Sequence, residues 1–190
     1  MDLTDDTVVS NDRQEVVNYI KEFLPNAKIG FCCPWLAPYS DDASDLQNLT
    51  GVKKEWYDAY VTKGGNTVAG KYGVIYNNTK NNLLSDNTYS MISASCTPIY
   101  YANQILGISS NILYRDVLHM SKDLGRVLVA YTFYSQFMQA FEGLETLNQL
   151  KLERYNLGSY DITTNDKNII LESVNYTLQD PWVIPTERVQ

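Results

Sequence analysis

Histidine is almost absent from this chain, because His119 is the only one among 190 residues. Cysteine is also scarce: Cys32, Cys33 and Cys96 are the full set, and three thiols cannot all pair. Cys32 and Cys33 lie in the apolar run AKIGFCCPW, where we expect buried thiols, and Cys96 is expected to be buried and inert. With so few nitrogen and sulfur ligands, the sequence predicts no metal site and no cofactor.

Clusters of positive charge are missing as well. The net charge is −7, and no run of Lys or Arg is present, which argues against a nucleic acid or an anionic membrane as a partner. No apolar run approaches the length of a membrane span, and the acidic start MDLTDDTVVSNDRQE lacks the basic-then-apolar order of a signal peptide. We expect a soluble chain with neutral or small ligands, in a compartment that the sequence leaves unknown.

The chain does contain enough apolar material for one packed core, since 44% of its 190 residues are hydrophobic. It has no internal repeats, no low-complexity tracts and no convincing linker between domains. The sequence therefore predicts a single domain over residues 1–190.

A helix is predicted near the start of the chain. It opens at Asn11 or Asp12, with Glu15 placed to complete a capping box, and Pro25 ends it. Apolar residues at helical spacing form one face, which consists of Val16, Ile20, Phe23 and Leu24. Such a face is typical of a helix that packs against a core.

Two short apolar runs are interpreted as β-strands, and four further stretches as helices. The first strand, in AKIGFCCPW, lacks alternation and is expected to be fully buried, and the second lies in YSMISASC. Helices are predicted over 66–80, from Pro98 onward, over 122–141 and from about Thr164. The helix 122–141 is apolar on nearly every side and should be deeply packed, whereas the last helix has one apolar face: Ile170, Val174 and Leu178. Helices alternating with buried strands indicate an α/β fold.

The single histidine stands in ILYRDVLHMSKDLGR, three positions after Asp116. A carboxylate at this spacing can reach one imidazole nitrogen within a single turn, which fixes the tautomer and leaves the other nitrogen available as a base. We therefore predict a hydrogen bond between the Asp116 carboxylate and the His119 ring, at the carboxyl-end edge of the sheet. The alternative interpretation is structural, with His119 flanking the helix that starts near Ser121.

The stretch LYRDVLHMSKDLGRVLVAYTFY resembles the final conserved block of the SGNH (GDSL-type) hydrolase superfamily, in a bacterial branch of unknown function. Residues 12–185 resemble the C-terminal two-thirds of such a domain. The resemblance implies a flavodoxin-like, three-layer α/β/α sandwich around a parallel sheet, without its N-terminal strands. It also implies that His119 is the general base of a catalytic triad and that Asp116 orients it.

The nucleophile of that superfamily, a serine in a Gly-Asp-Ser-type motif after the first strand, has no counterpart in this sequence. Serines considered as replacements lack a strand-to-helix elbow with small neighbours, and they are Ser10, Ser40, Ser44, Ser93, Ser95 and Ser121. Ser121 is expected to cap the helix that follows it.

Two hypotheses remain. In the first, the chain is the C-terminal part of an SGNH-type serine esterase that acts on small-molecule or carbohydrate esters, for example in deacetylation, and the isolated chain is inactive. In the second, it is a non-catalytic remnant that serves as an assembly or binding module. An incomplete sheet further predicts a homo-oligomer or a partner chain that completes it.

Overall fold

The computed structural model describes residues 6–35, 54–55, 58, 62, 68–84, 87–115, 119–121, 123–148 and 162–188. Helices dominate this part of the chain, and its sheet is small, with two parallel strands. The mixture agrees with the predicted α/β class. Within these ranges, no helix is both long and apolar enough to cross a membrane.

Helix α1 spans Asp6–Phe23 and therefore begins earlier than the predicted start at Asn11 or Asp12. The sequence from position 6 to position 23 contains neither glycine nor proline, so no residue stops the helix at the predicted cap. The helix ends two residues before Pro25, close to the predicted end.

The packed face of α1 differs from the predicted one. Arg13 and Val17 are buried, and the Arg13 guanidinium carbon lies 5.6 Å from the centroid of the Phe31 ring. Most apolar residues of the predicted face are well exposed instead, as is a neighbouring tyrosine: Val16, Tyr19, Phe23 and Leu24. The pattern identified an apolar face, but the helix contacts the sheet with another side.

The sheet consists of β1 (Ile29–Cys32) and β2 (Tyr89–Ser93), which pair in parallel with Gly30 opposite Met91. Both strands lie where the two apolar runs predicted them. The pairing register shifts after the first residue of β1. A parallel pair needs a crossover connection, which here includes the helix that follows β1.

The prediction that β1 is fully buried was wrong. Phe31 is buried, but Gly30 and Cys32 on either side of it are exposed. The reason is that, in the part of the chain that the structure describes, β1 has a neighbouring strand on one side only. Continuous apolar sequence predicted a central strand, whereas β1 lies at the edge of this sheet.

Two helices continue into π-helical turns. Helix α2 spans Val68–Thr79, close to the predicted range, and is followed by Lys80–Leu84. Helix α3 spans Cys96–Tyr100 and is followed by Tyr101–Ile105. It begins two residues before Pro98, the predicted first residue of this helix. A proline is tolerated in the first turn because amides there have no partner within the helix.

Three further helices complete the described part: α4 (Ser110–Leu113), α5 (Leu124–Glu142) and α6 (Thr164–Gln179). Helix α5 ends at Gly143, whose φ of 72° is left-handed and therefore suits glycine. Helix α6 begins with a capping box between the side chains and backbone of Thr163 and Asp166, next to the predicted cap.

The main core is formed by α2, α3, α5 and α6. The apolar face predicted for α6 is confirmed, since all three of its residues are buried: Ile170, Val174 and Leu178. The prediction of a deeply packed α5 was wrong for one side of the helix. Leu124 and Leu128 are fully buried, but several aromatic residues are at least two-fifths exposed, namely Phe133, Tyr134 and Phe137. The small sheet is too narrow to cover that side.

Candidate functional site

His119 lies at the end of a loop between α4 and α5. A β-bridge between Tyr114 and Met120 closes this loop, and the Arg115 amide donates a hydrogen bond to the His119 carbonyl oxygen at 3.0 Å. The two bridge residues are buried, as is Leu113, whereas His119 is exposed. The loop therefore fixes the backbone of His119 through buried neighbours and leaves the residue accessible.

The first turn of α5 holds the loop from the other side. The Ser121 amide donates to the Leu113 carbonyl oxygen at 2.8 Å, and the Ser121 hydroxyl accepts from the Gly125 amide at 3.0 Å. A Cβ atom at Gly125 would lie 2.0 Å from that same carbonyl oxygen, so the close approach requires glycine. The predicted N-cap position was wrong, since Asp123 is the residue before the helix and its side chain makes no capping hydrogen bond. Ser121 instead reaches into the first turn through its hydroxyl.

Helix α5 runs antiparallel to the strands. The Lys28 ammonium, just before β1, lies 4.7 Å from the Phe141 ring centroid near the end of α5. The Ala94 amide, just after β2, donates to Gln136 Oε1 at 2.8 Å in the middle of α5. The first residue of α5, Leu124, therefore lies about 18 Å along the helix axis from Gln136. It lies on the side of the carboxyl ends of the strands. Ligand sites of open parallel sheets lie on this side, and the loop with His119 precedes the start of α5.

Asp116, the predicted partner of His119, lies outside the described residues, so their hydrogen bond stays a prediction. The same holds for Ser40 and Ser44, and for the side chain of Ser10. Across the described ranges, no group of three or more His, Cys, Asp or Glu residues could hold a metal ion.

The hydroxyls at the carboxyl ends of the strands are buried. The hydroxyl oxygens of Ser93 and Ser95 lie 3.3 Å apart, and that of Ser95 lies 3.6 Å from Cys32 Sγ. The Ser121 hydroxyl accepts a hydrogen bond from the Gly125 amide. None of these three serines lies on an exposed elbow of the kind that activates a nucleophile.

Two of the three thiols are unreactive by burial. Burial raises the pKa of Cys96 well above its ordinary value and that of Cys33 to about 12, although a hydrogen bond with Thr79 partly opposes the shift at Cys33. Both thiols stay protonated near neutral pH and are poor nucleophiles. The prediction for Cys96 is confirmed, but Cys32 is exposed, so the prediction of a buried thiol there was wrong.

An open cavity of about 410 Å³, called the trough below, lies between β1 and α5. Its lining is mostly apolar and consists of Lys28, Gly30, Cys32, Met91, Phe133, Phe137 and Phe141. His119 is not part of this lining. The trough was not predicted from the sequence, although the three phenylalanines recur every four residues in FYSQFMQAF, which places them on one side of a helix.

A scan against protein-family models and a search of curated proteins give no match. Among solved structures, the chain is similar to a DUF4886 family protein from Bacteroides uniformis ATCC 8492, determined by crystallography at 1.50 Å resolution. The two are 20% identical with a TM-score of 0.57, and the match covers 90% of this chain. It spans 56% of the length of the Bacteroides chain. At this identity the likeness concerns the fold alone.

The exposure of the thiols predicts selective labelling. At low protein concentration, we expect a thiol-specific disulfide reagent to modify Cys32 in the native chain, because Cys33 and Cys96 are buried. Mass spectrometry of the labelled peptides identifies the site. The Cys32→Ser variant should not react until urea unfolds it and exposes the other two thiols. Native labelling of Cys96 at the same rate as Cys32 would contradict the packing described for α3.

Proposed function

We propose that this chain is the base-bearing part of an SGNH-type serine esterase. His119 acts as the general base, Asp116 orients it, and a polypeptide outside this chain supplies the nucleophilic serine. The substrates are small-molecule or carbohydrate esters. The observation that carries the proposal is the position of His119. It is exposed on a loop whose two bridging residues, Tyr114 and Met120, are buried. The helix after this loop begins on the carboxyl side of a parallel sheet.

The role proposed for His119 is proton transfer. A neutral imidazole can take the proton of an attacking hydroxyl and later return it to the leaving alcohol. A carboxylate at one ring nitrogen stabilises the cation that forms. Ester hydrolysis in such a unit needs neither a metal nor a cofactor, in agreement with the sequence-based expectation.

The proposal includes a three-layer α/β/α sandwich as the complete fold. It is supported by helical contacts on both faces of the sheet: Arg13 of α1 and Leu83 of the segment Lys80–Leu84 contact the face with Phe31, and α5 contacts the face with Met91. Helices on both faces are the usual arrangement around parallel strands.

The test is an esterase assay with p-nitrophenyl acetate. Loss of the nucleophile from a triad removes most of its catalysis, on the order of 10⁶-fold in a serine protease. We therefore expect the isolated chain and its His119→Ala variant to hydrolyse the ester at rates within a few-fold of each other. A fluorophosphonate probe should label no serine of the isolated chain.

The complementary experiment adds a segment with a Gly-Asp-Ser-type motif, expressed from the reading frame immediately upstream. Activity that appears on mixing, disappears with His119→Ala and survives Ile112→Ala supports the proposal. Ile112 is a suitable control because it is half exposed and lies on α4, close to the same loop. An assembled complex without His119-dependent activity would overturn the esterase proposal. A probe adduct on a serine of this chain would overturn the claim that another polypeptide supplies the nucleophile.

A second candidate function is that of a non-catalytic assembly module. The observation that favours it is the edge of β1 that has no neighbouring strand among the described residues, beside the trough lined by exposed strand residues and the phenylalanines of α5. In that case substitutions along the trough abolish association, and substitutions at His119 have no effect.

A further inference from the structure

The outer edge of β1 has a defined hydrogen-bonding pattern. The Cys33 amide donates to the Ser93 carbonyl oxygen of β2 at 3.0 Å. In an extended strand, the amide and carbonyl of one residue point to the same side, and successive residues alternate. Phe31 therefore directs its main chain toward β2, as Cys33 does, and Gly30 and Cys32 direct theirs toward the edge that has no neighbouring strand in the described part of the chain.

This edge lacks the usual protection against pairing. Exposed edge strands of natural proteins are commonly guarded by charged side chains, by proline within the strand or by a covering loop. The residues between Lys28 and Pro34 are uncharged, with the sequence IGFCC. Gly30 and Cys32 are exposed, so the described residues leave their main-chain groups accessible to another strand.

The trough beside this edge has the dimensions of a strand-binding site. Residues four apart on α5 repeat about every 6 Å, and alternate residues of β1 repeat about every 6.6 Å. Phe141 lies next to Lys28, so Phe133 and Phe137 follow β1 toward its carboxyl end. An added strand would lie about 4.8 Å from β1, and its residues on this face would lie under these rings.

We propose that the occupant is β1 of a second copy of this chain, paired antiparallel about a two-fold axis at Phe31. Gly30 of each copy then faces Cys32 of the other, and both pairs exchange amide and carbonyl hydrogen bonds. Lys28 faces Pro34 of the other copy, so no like charges are opposed between the paired strands. Because the axis is perpendicular to the sheet, the two α5 helices lie on the same face and their phenylalanines meet.

This inference depends neither on His119 nor on hydrolysis. It concerns an isologous interface, in which the same surface is used by both copies and the assembly closes at two. Its product is a continuous four-stranded sheet, which would remove the exposed edge of β1 and cover Cys32.

The test is the association state of the full chain, measured by sedimentation velocity from low to high micromolar concentration. We expect a dimer whose dissociation constant rises roughly tenfold or more in Phe137→Asp and in Gly30→Pro. The proline removes the edge amide, and proline is accepted at edge positions of this kind. The matched control Gly30→Ala keeps the amide, and its Cβ would make ordinary contacts of 3.8 Å with Met91. The control for Phe137→Asp is Ile112→Asp, outside the trough, and both controls should stay dimeric.

Labelling of Cys32 provides a second measurement that does not depend on Gly30→Pro being folded. Its rate should fall as the concentration of the wild-type chain rises, and it should be independent of concentration in Phe137→Asp. A monomeric wild-type chain at high micromolar concentration would overturn the proposal. So would a dimer that both Phe137→Asp and a folded Gly30→Pro leave intact, since another surface would then form the interface.

Discussion

Replacing Gly125 with alanine is expected to lower the free energy of unfolding by about 3 kcal/mol, at the upper end of the usual cost of overpacking. The new Cβ would lie 2.0 Å from the Leu113 carbonyl oxygen and 3.0 Å from Ser121 Oγ. Because the nearest atom belongs to the backbone, no side-chain rotation relieves the clash. The hydrogen bond from the Ser121 amide to Leu113 should be lost as α5 moves away.

The measurement is urea unfolding followed by circular dichroism, with Gly73→Ala as the matched control. Gly73 lies inside α2, and a Cβ there meets no described atom within 4 Å. Alanine is a better helix former than glycine by about 1 kcal/mol, so this control should be neutral or slightly more stable. Equal stability of the two variants would show that the loop with His119 is not anchored at Gly125.

Raising the pH from neutral to alkaline is expected to destabilise the fold steeply above about pH 9, where thiols ionise in an unfolded chain. Burial raises the folded-state pKa of Cys33 to about 12 and raises that of Cys96 as well. A raised folded-state pKa contributes stability that is fully present below the unfolded-state pKa and is lost as the pH approaches the folded-state pKa. Ionisation of each thiol in the unfolded chain therefore lowers the free energy of unfolding by at most about 1.4 kcal/mol per pH unit in this window.

Urea unfolding under reducing conditions at several pH values measures the slope. We expect it to be less steep in Cys33→Ala, although that variant is less stable at every pH because it loses buried volume. In the control Ile112→Ala the slope should match the wild type, because this substitution removes no thiol and lies at a half-exposed position. A free energy of unfolding that stays constant between about pH 8 and about pH 10.5 would contradict the burial of both thiols.

The elements that sequence predicted well are those in which local pattern and packing agree. The last helix is an example, since its capping residues and its apolar face appear in the sequence and are confirmed at Thr163, Ile170 and Val174. Both strands were also located correctly, because short apolar runs between polar stretches have few other structures available.

The predictions that were wrong concern which surfaces are covered by other elements of the fold. This property depends on distant parts of the chain. The apolar face of α1 and the phenylalanines of α5 have the pattern of packed surfaces, yet the described residues leave them largely exposed. In the same way, β1 has the composition of a central strand but lies at an edge. Periodicity shows which residues can be buried together, and the number of neighbouring strands decides whether they are.

The candidate site was predictable in part. His119 was a clear candidate because it is the only histidine in the sequence. In the structure it is exposed, and the bridging residues of its loop are buried. The role of Gly125 could not be predicted, because a glycine in the first turn of an apolar helix has no pattern that indicates contact with a distant carbonyl. The trough was missed because it joins β1 to α5, which are about one hundred residues apart in sequence.

The parallel pairing of β1 with β2 also affects the order in which the fold assembles. Phe31 pairs with Ile92, so a long loop must close before this contact forms, whereas the contacts among α4, α5 and the intervening loop are local. We expect the contacts among α4, the loop and the start of α5 to form first and the sheet to close later. Loop-closure entropy grows slowly with length, by about 0.6 kcal/mol for each doubling, so the connection between the strands can accept insertions at little thermodynamic cost. Such insertions would mainly slow folding.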